Sequence, residues 1–230
     1  LLERPGSSLD DIVPMFLEKG FRAEVLSKVK DEKVLSFWQK EYPAMNYKTA
    51  SDGFAPIANK IGAFLAHPLV RKVVCNPEVP LRFRKIMDDG QNLIVNLAKG
   101  RLGSDISNVL GGLIISSIAN AAYTRQSLVQ TDRQPFFLYV DEFHSFTTGA
   151  FADMLSELRK YGLGIVLAGQ YSAQGEAEVL DAILGNVGTL ICFRLGASDA
   201  HLFAMHLGTP SIMPRDLVNL PNYEMVVRLM

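Results

Sequence analysis

Short apolar runs separated by helix-length stretches fill the last two thirds of the chain, and this alternation constrains the fold more than any other feature. The runs are NLIVNL (Asn92 to Leu97), FFLYV (Phe136 to Val140), GIVLAG (Gly164 to Gly169), GTLICF (Gly188 to Phe193) and the closing EMVVRLM. Between them stand SNVLGGLIISSIANAAYTR, FADMLSELRKYG and EAEVLDAILGN, each long enough for a crossover helix, and then a helix from about Asp199 to Leu207. Strands apolar on both faces and separated by helices predict an α/β fold with a mostly parallel sheet covered on both sides.

The first third follows another period. From Ser8 to about Val74, segments such as AEVLSKVKDEKVLSFWQKEY and FAPIANKIGAFLAHPLVRKVV repeat apolar residues at three and four, with Pro43, Pro56 and Pro68 as punctuation. The expectation is an all-helical segment over residues 1–80 and an α/β core over residues 81–230.

In a parallel sheet, ligands lie beyond the carboxyl ends of the strands. The residues that end the runs are therefore the candidates: Asp141 and Glu142 after the second, Gln170 after the third, Arg194 after the fourth. A strand-end Asp can hold magnesium through water, and a neighbouring Glu can polarise the water that attacks a phosphate. Gln170 can orient that water or phosphate, and Arg194 can offset its charge. The bland readings are a turn or cap for the acids and an ordinary loop residue for Gln170. Arg159 and Lys160 precede Gly162, where cations suit a helix end and glycine its cap. His144 has no second histidine at metal spacing and reads as a loop residue.

Composition narrows the alternatives. With 48% apolar and 20% charged residues and a net charge of −1, the chain is a folded one without a global basic field, so any nucleic-acid contact is local. Cys75 and Cys192 lack metal spacing and read as inert core thiols of a reducing compartment. Polar residues interrupt the most apolar stretch, Val109 to Tyr123, which is too short to span a bilayer comfortably. The densest basic cluster, Arg82 to Lys85, reads as a solvated helix face.

A phosphate site also needs a cradle of backbone amides with a lysine, and GxxxxGK[ST] occurs nowhere. The nearest imitation, NLAKGRLGSD, has Lys99 ahead of its glycines, and Ser104 with Asp105 reads as an N-cap.

IMDDGQNLIVNLAKGRLGSDISNVLGGLIISSI, PFFLYVDEFHSF, LSELRKYGLGIVLAGQ and GNVGTLICFRLGASDA together resemble the DNA-transfer ATPases of type IV secretion and conjugation, the TraG/TraD-like members of the HerA and FtsK class of P-loop motors. The resemblance covers about residues 81 to 230, and DLVNLPNYEMVVRLM is similar to the family's last core strand. It implies a RecA-like core, hexameric when working, that uses ATP and magnesium to move DNA or secretion substrates, alongside other secretion and conjugation proteins, in the cytoplasm or at the cytoplasmic face of the membrane. LYVDE is similar to a Walker B motif, which makes Asp141 the magnesium ligand through water and Glu142 the catalytic base. Gln170 matches the sensor position; Arg159 lies where coupling ATPases carry an arginine finger, and Arg194 is a second candidate. The first third resembles the family's variable helical insertion.

The family's phosphate loop precedes everything present here. Leu1 is not an initiator Met and the chain stops inside a strand-like run, so the expectation is the later portion of such an ATPase, with a sheet lacking the phosphate-loop strand and negligible activity by itself. Two other readings stand beside it. One is a non-catalytic assembly or substrate-docking module derived from such an ATPase; the other is a metal-dependent hydrolase using Asp141 and Glu142 directly.

Overall fold

The computed structural model describes residues 1–45, 47–75, 79–146, 154–155, 157–170 and 177–229. The chain divides into two compact units, Leu1–Leu81 and Arg82–Met230.

Among the described residues the first unit is helical throughout: α1 (Ile12–Leu17), α2 (Lys19–Leu26), α3 (Glu32–Ser36), α4 (Tyr42–Ala44), α5 (Tyr47–Leu65) and α6 (Pro68–Cys75). Local chemistry sets several of these ends. Asp31 caps α3 by accepting from the amides of Lys33 and Val34. Arg22 on α2 donates to the carbonyls of Met15 (3.1 Å) and Phe16 (2.9 Å), satisfying the orphan acceptors at the end of α1. Its guanidinium also lies 5.1 Å from the Tyr42 ring centroid. Phe16 joins α1 to Trp38 and Phe54 at ring separations of 5.2 and 4.8 Å. Pro56 does not end a helix as its position suggested; it lies inside α5. A proline removes one amide from the ladder, and a helix as long as α5 keeps its remaining turns.

The second unit is α/β. Its elements are α7 (Phe83–Asp88), α8 (Lys99–Leu102), α9 (Ser104–Thr124), β1 (Phe136–Val140), β2 (Leu163–Leu167), α10 (Ala177–Asn186), β3 (Thr189–Cys192), α11 (Ala197–Leu207), α12 (Pro214–Val218) and β4 (Val226–Leu229). β1 and β2 pair in parallel, Phe136 opposite Leu163 through Val140 opposite Leu167. α9 supplies Ile118, Ala119 and Ala122 to the core under these strands, where they meet Leu158, Leu163 and Met87. A second core joins Leu180, Leu184, Leu190, Cys192, Ala200, Leu207 and Leu217.

The expectation of one mostly parallel sheet is corrected in two respects. The described strands form two two-stranded sheets, and β3 pairs with β4 antiparallel, Ile191 opposite Val227. Asn92 to Leu97 forms no strand among the described residues, and Ile94 is 94% exposed. Apolar periodicity shows that a segment suits an extended, buried setting; it does not name the neighbour that supplies the ladder or its direction. The expected cap at Ser104 also moves. Gly103, at φ +82°, is the N-cap of α9 without a side-chain bond, and Ser104 is the first helical residue. Asp105 still sits in the first turn, where the helix dipole favours it. The crossover helix expected over 151–162 lies partly outside the described residues; its visible end is the 3₁₀ turn Leu158–Tyr161, closed by Gly162 at φ +77°.

Cys192 is 2% exposed, and burial pushes its thiol up to about 11. The folded chain thus holds that proton more tightly than the unfolded chain does, and the associated stability is lost as pH rises from 9.0 through about 11. At pH 8 a thiol reagent is expected to label the half-buried Cys75 and to reach Cys192 only after denaturant is added. Equal labelling rates in the native protein would contradict this burial.

Candidate functional site

The two acids leave β1 in a tight turn. Glu142 is left-handed at φ 50°, ψ 46°, a conformation that a non-glycine residue keeps only when its surroundings enforce it. Phe143–Ser145 follow as one 3₁₀ turn. The Glu142 amide donates to Asp141 Oδ1 at 3.0 Å, and the amides of Ser145 and Phe146 return to the carbonyls of Glu142 and Phe143.

Parallel pairing carries the β2 exit to the same edge. The Ala168 amide donates to the Val140 carbonyl at 2.9 Å, and the Phe143 amide to the Ala168 carbonyl at 3.1 Å. Gln170 follows two residues later, exposed, so the acids and Gln170 leave the sheet on one side. Phe143 packs against the cores of both sheets, which fixes the turn between them. Phe146 lies against α9 where a Cβ on Gly111 would stand only 2.3 Å from its ring. Leu97 approaches the same point at 3.1 Å.

Asp141 is exposed, and its Oδ2 makes no bond among the described residues. One open carboxylate oxygen at a strand end suits a hydrated magnesium ion whose remaining ligands are waters and phosphates. Among the described residues no group of three His, Cys, Asp or Glu converges as a protein-made metal cage. Glu142 Oε2 lies 3.4 Å from His144 Nδ1, so the histidine faces this acid rather than standing as an isolated loop residue.

The remaining candidates are distributed differently. Arg159 is exposed on the turn before β2, at the opposite end of that strand from the acids. Five strand residues separate the two ends by about 17 Å, so within one chain Arg159 does not share a site with Asp141. Arg194 is exposed just beyond β3 and belongs to the other sheet.

Sequence reasoning passed over two side chains that support this region. Arg125, fully buried at the end of α9, donates to Asp88 Oδ1 (2.9 Å) and to the carbonyls of Gln134 (2.8 Å) and Tyr161 (3.2 Å), joining α7, α9 and the approaches to both parallel strands. A lone arginine after an apolar helix gives no pattern to read. Lys99, discounted as a phosphate cradle, reaches Ser145 Oγ at 2.7 Å.

No protein-family model matches this sequence, and no curated protein matches it. Solved structures do share its fold. The plasmid coupling protein TrwB in complex with the non-hydrolysable GTP analogue GDPNP superposes with a TM-score of 0.63 at 16% identity. The bacterial conjugative coupling protein TrwBdeltaN70, in its unbound monoclinic form, gives 0.60 at 16% identity. Each match covers 96% of this chain and 55% of the neighbour, so the chain spans about half the length of the proteins it resembles. At this identity the likeness is one of fold: the chain has the α/β architecture found in TrwB.

Proposed function

We propose that the chain carries the metal-and-water half of the nucleotide-hydrolysing site of a DNA-transfer motor of the conjugation and type IV secretion class, with a RecA-like core and a phosphate cradle contributed from outside these residues. The observation that carries this reading is the Asp141–Glu142 turn at the carboxyl edge of β1, clamped to the β2 exit through Phe143 and Ala168. The fold shared with TrwB, a coupling protein seen with a GTP analogue, supports it.

In this reading Asp141 holds magnesium through water. The bound ion would offset charge on the phosphate oxygens. Glu142 takes the proton of the attacking water, and Gln170 orients that water or the terminal phosphate. Arg159, exposed and a strand's length from the acids, acts on the nucleotide of a neighbouring subunit in a hexameric ring; Arg194 is the alternative finger. The motor moves DNA, with other secretion and conjugation proteins as partners, at the cytoplasmic face of the membrane.

Exposed apolar sheet faces support a core completed by further chain. Phe137 and Tyr139 on the parallel-paired strand β1 are 58% and 71% exposed. Parallel sheets are normally covered on both faces.

The test compares the 230-residue chain with the full-length gene product, using magnesium with ATP or GTP. The chain alone is expected to show no detectable calorimetric binding. The gene product should hydrolyse nucleotide, and Glu142→Gln should lower its kcat about 100-fold or more. Unchanged turnover in the variant would remove Glu142 as the base. Robust hydrolysis by the chain alone would refute a cradle supplied from elsewhere.

A further inference from the structure

The Glu142 turn is strained, and two polar links reach it from outside. One is the Ala168 carbonyl on the β2 exit, which accepts from Phe143. The other is Lys99, the first residue of α8, whose ammonium donates to Ser145 Oγ at 2.7 Å across 46 residues of sequence. The remaining backbone bonds of the turn, at Glu142, Ser145 and Phe146, are internal to it. A left-handed non-glycine residue costs about 1–3 kcal/mol and persists only where neighbours over-determine it, so external links matter to Glu142.

Lys99 is itself held for this task. The Ala98 amide donates to Asn96 Oδ1 at 3.1 Å, which shapes the approach to α8. Leu97 shares with Phe146 the space that a side chain on Gly111 would take. The same glycine therefore seats the segment leading to Lys99 and the end of the turn that Lys99 touches. Lys99 makes no ion pair among the described residues, and its only polar partner there is a neutral hydroxyl.

We infer that Lys99 is a positioning residue for Glu142: through Ser145 it holds the acidic turn in the conformation that presents the carboxylate at the strand edge. The inference rests on the proposed role of Glu142 in hydrolysis, and it deepens that reading by adding a residue outside the acidic strand.

The experiment uses the full-length gene product and two readouts. In hydrogen exchange, Lys99→Met and Ser145→Ala should each speed exchange at the Ser145 and Phe146 amides about 10-fold, with no further change in the double variant and none in β2. In nucleotide hydrolysis, Lys99→Met should lower kcat about 10-fold at constant KM. Lys99→Arg, which keeps a donor at the hydroxyl, should restore protection and most of kcat. Unchanged exchange in Lys99→Met, or a kcat loss that Ser145→Ala does not reproduce, overturns the inference. If the wild-type protein shows no Glu142-dependent hydrolysis, the functional reading falls, and the exchange arm alone decides whether Lys99 holds the turn.

Discussion

Arg125→Met is expected to lower the unfolding free energy of the chain by about 4 kcal/mol, measured as a fall in the denaturant midpoint at constant slope. Methionine fills much of the space but leaves the carbonyls of Gln134 and Tyr161 without their buried donor. Each such orphan costs about 1–3 kcal/mol where water does not replace the lost donor. The Asp88 carboxylate is partly relieved, since it also accepts from Arg84 and is 32% exposed, so most of the loss falls on the two carbonyls. Typical domains are stable by only about 5–15 kcal/mol; the variant would therefore be marginal. Arg125→Lys tests the geometry, because one ammonium cannot reach three acceptors arranged for a planar fork. It should recover less than half of the loss. A loss below about 1 kcal/mol in Arg125→Met would show that water satisfies the carbonyls once the guanidinium is gone.

Gly111→Ala and Gly112→Ala should shift stability in opposite directions. Both glycines lie inside α9, and alanine is the better helix former by about 1 kcal/mol. At Gly112 a new Cβ meets nothing within 4 Å, so that gain should appear in full. At Gly111 it would stand 2.3 Å from Phe146 and 3.1 Å from Leu97, and the phenylalanine must move. Such overpacking costs about 1–3 kcal/mol. Gly111→Ala should therefore be about 1 kcal/mol less stable than the parent and about 2 kcal/mol below Gly112→Ala. Faster hydrogen exchange confined to residues 143–146 would trace the damage to the acidic turn. Equal stability of the two variants would mean that Phe146 finds another place at little cost.

The candidate site was partly legible because its signals are local. An apolar strand followed by two carboxylates is contiguous in LYVDE, and parallel pairing brings the following strand's exit beside it, as the Val140, Ala168 and Phe143 bonds show. Arg125 and Lys99 were not legible, because their meaning lies in partners 37 and 46 residues away. The Asn92 to Leu97 run misled for the same reason: its apolar composition suits a strand, but a strand also needs a neighbour's free amides and carbonyls.

The sequence by itself determined the helical first third, the α/β character of the remainder, and the placing of Asp141, Glu142 and Gln170 at strand ends, because periodicity and strand-terminal polarity are encoded within a few consecutive residues. Tertiary structure alone decided that β3 and β4 run antiparallel, that Arg159 stands at the far end of β2 from the acids, that Lys99 bonds Ser145 and that Phe146 packs against Gly111 of α9. Those outcomes depend on which distant segments come to share a ladder or a packing surface, and no local pattern carries that information.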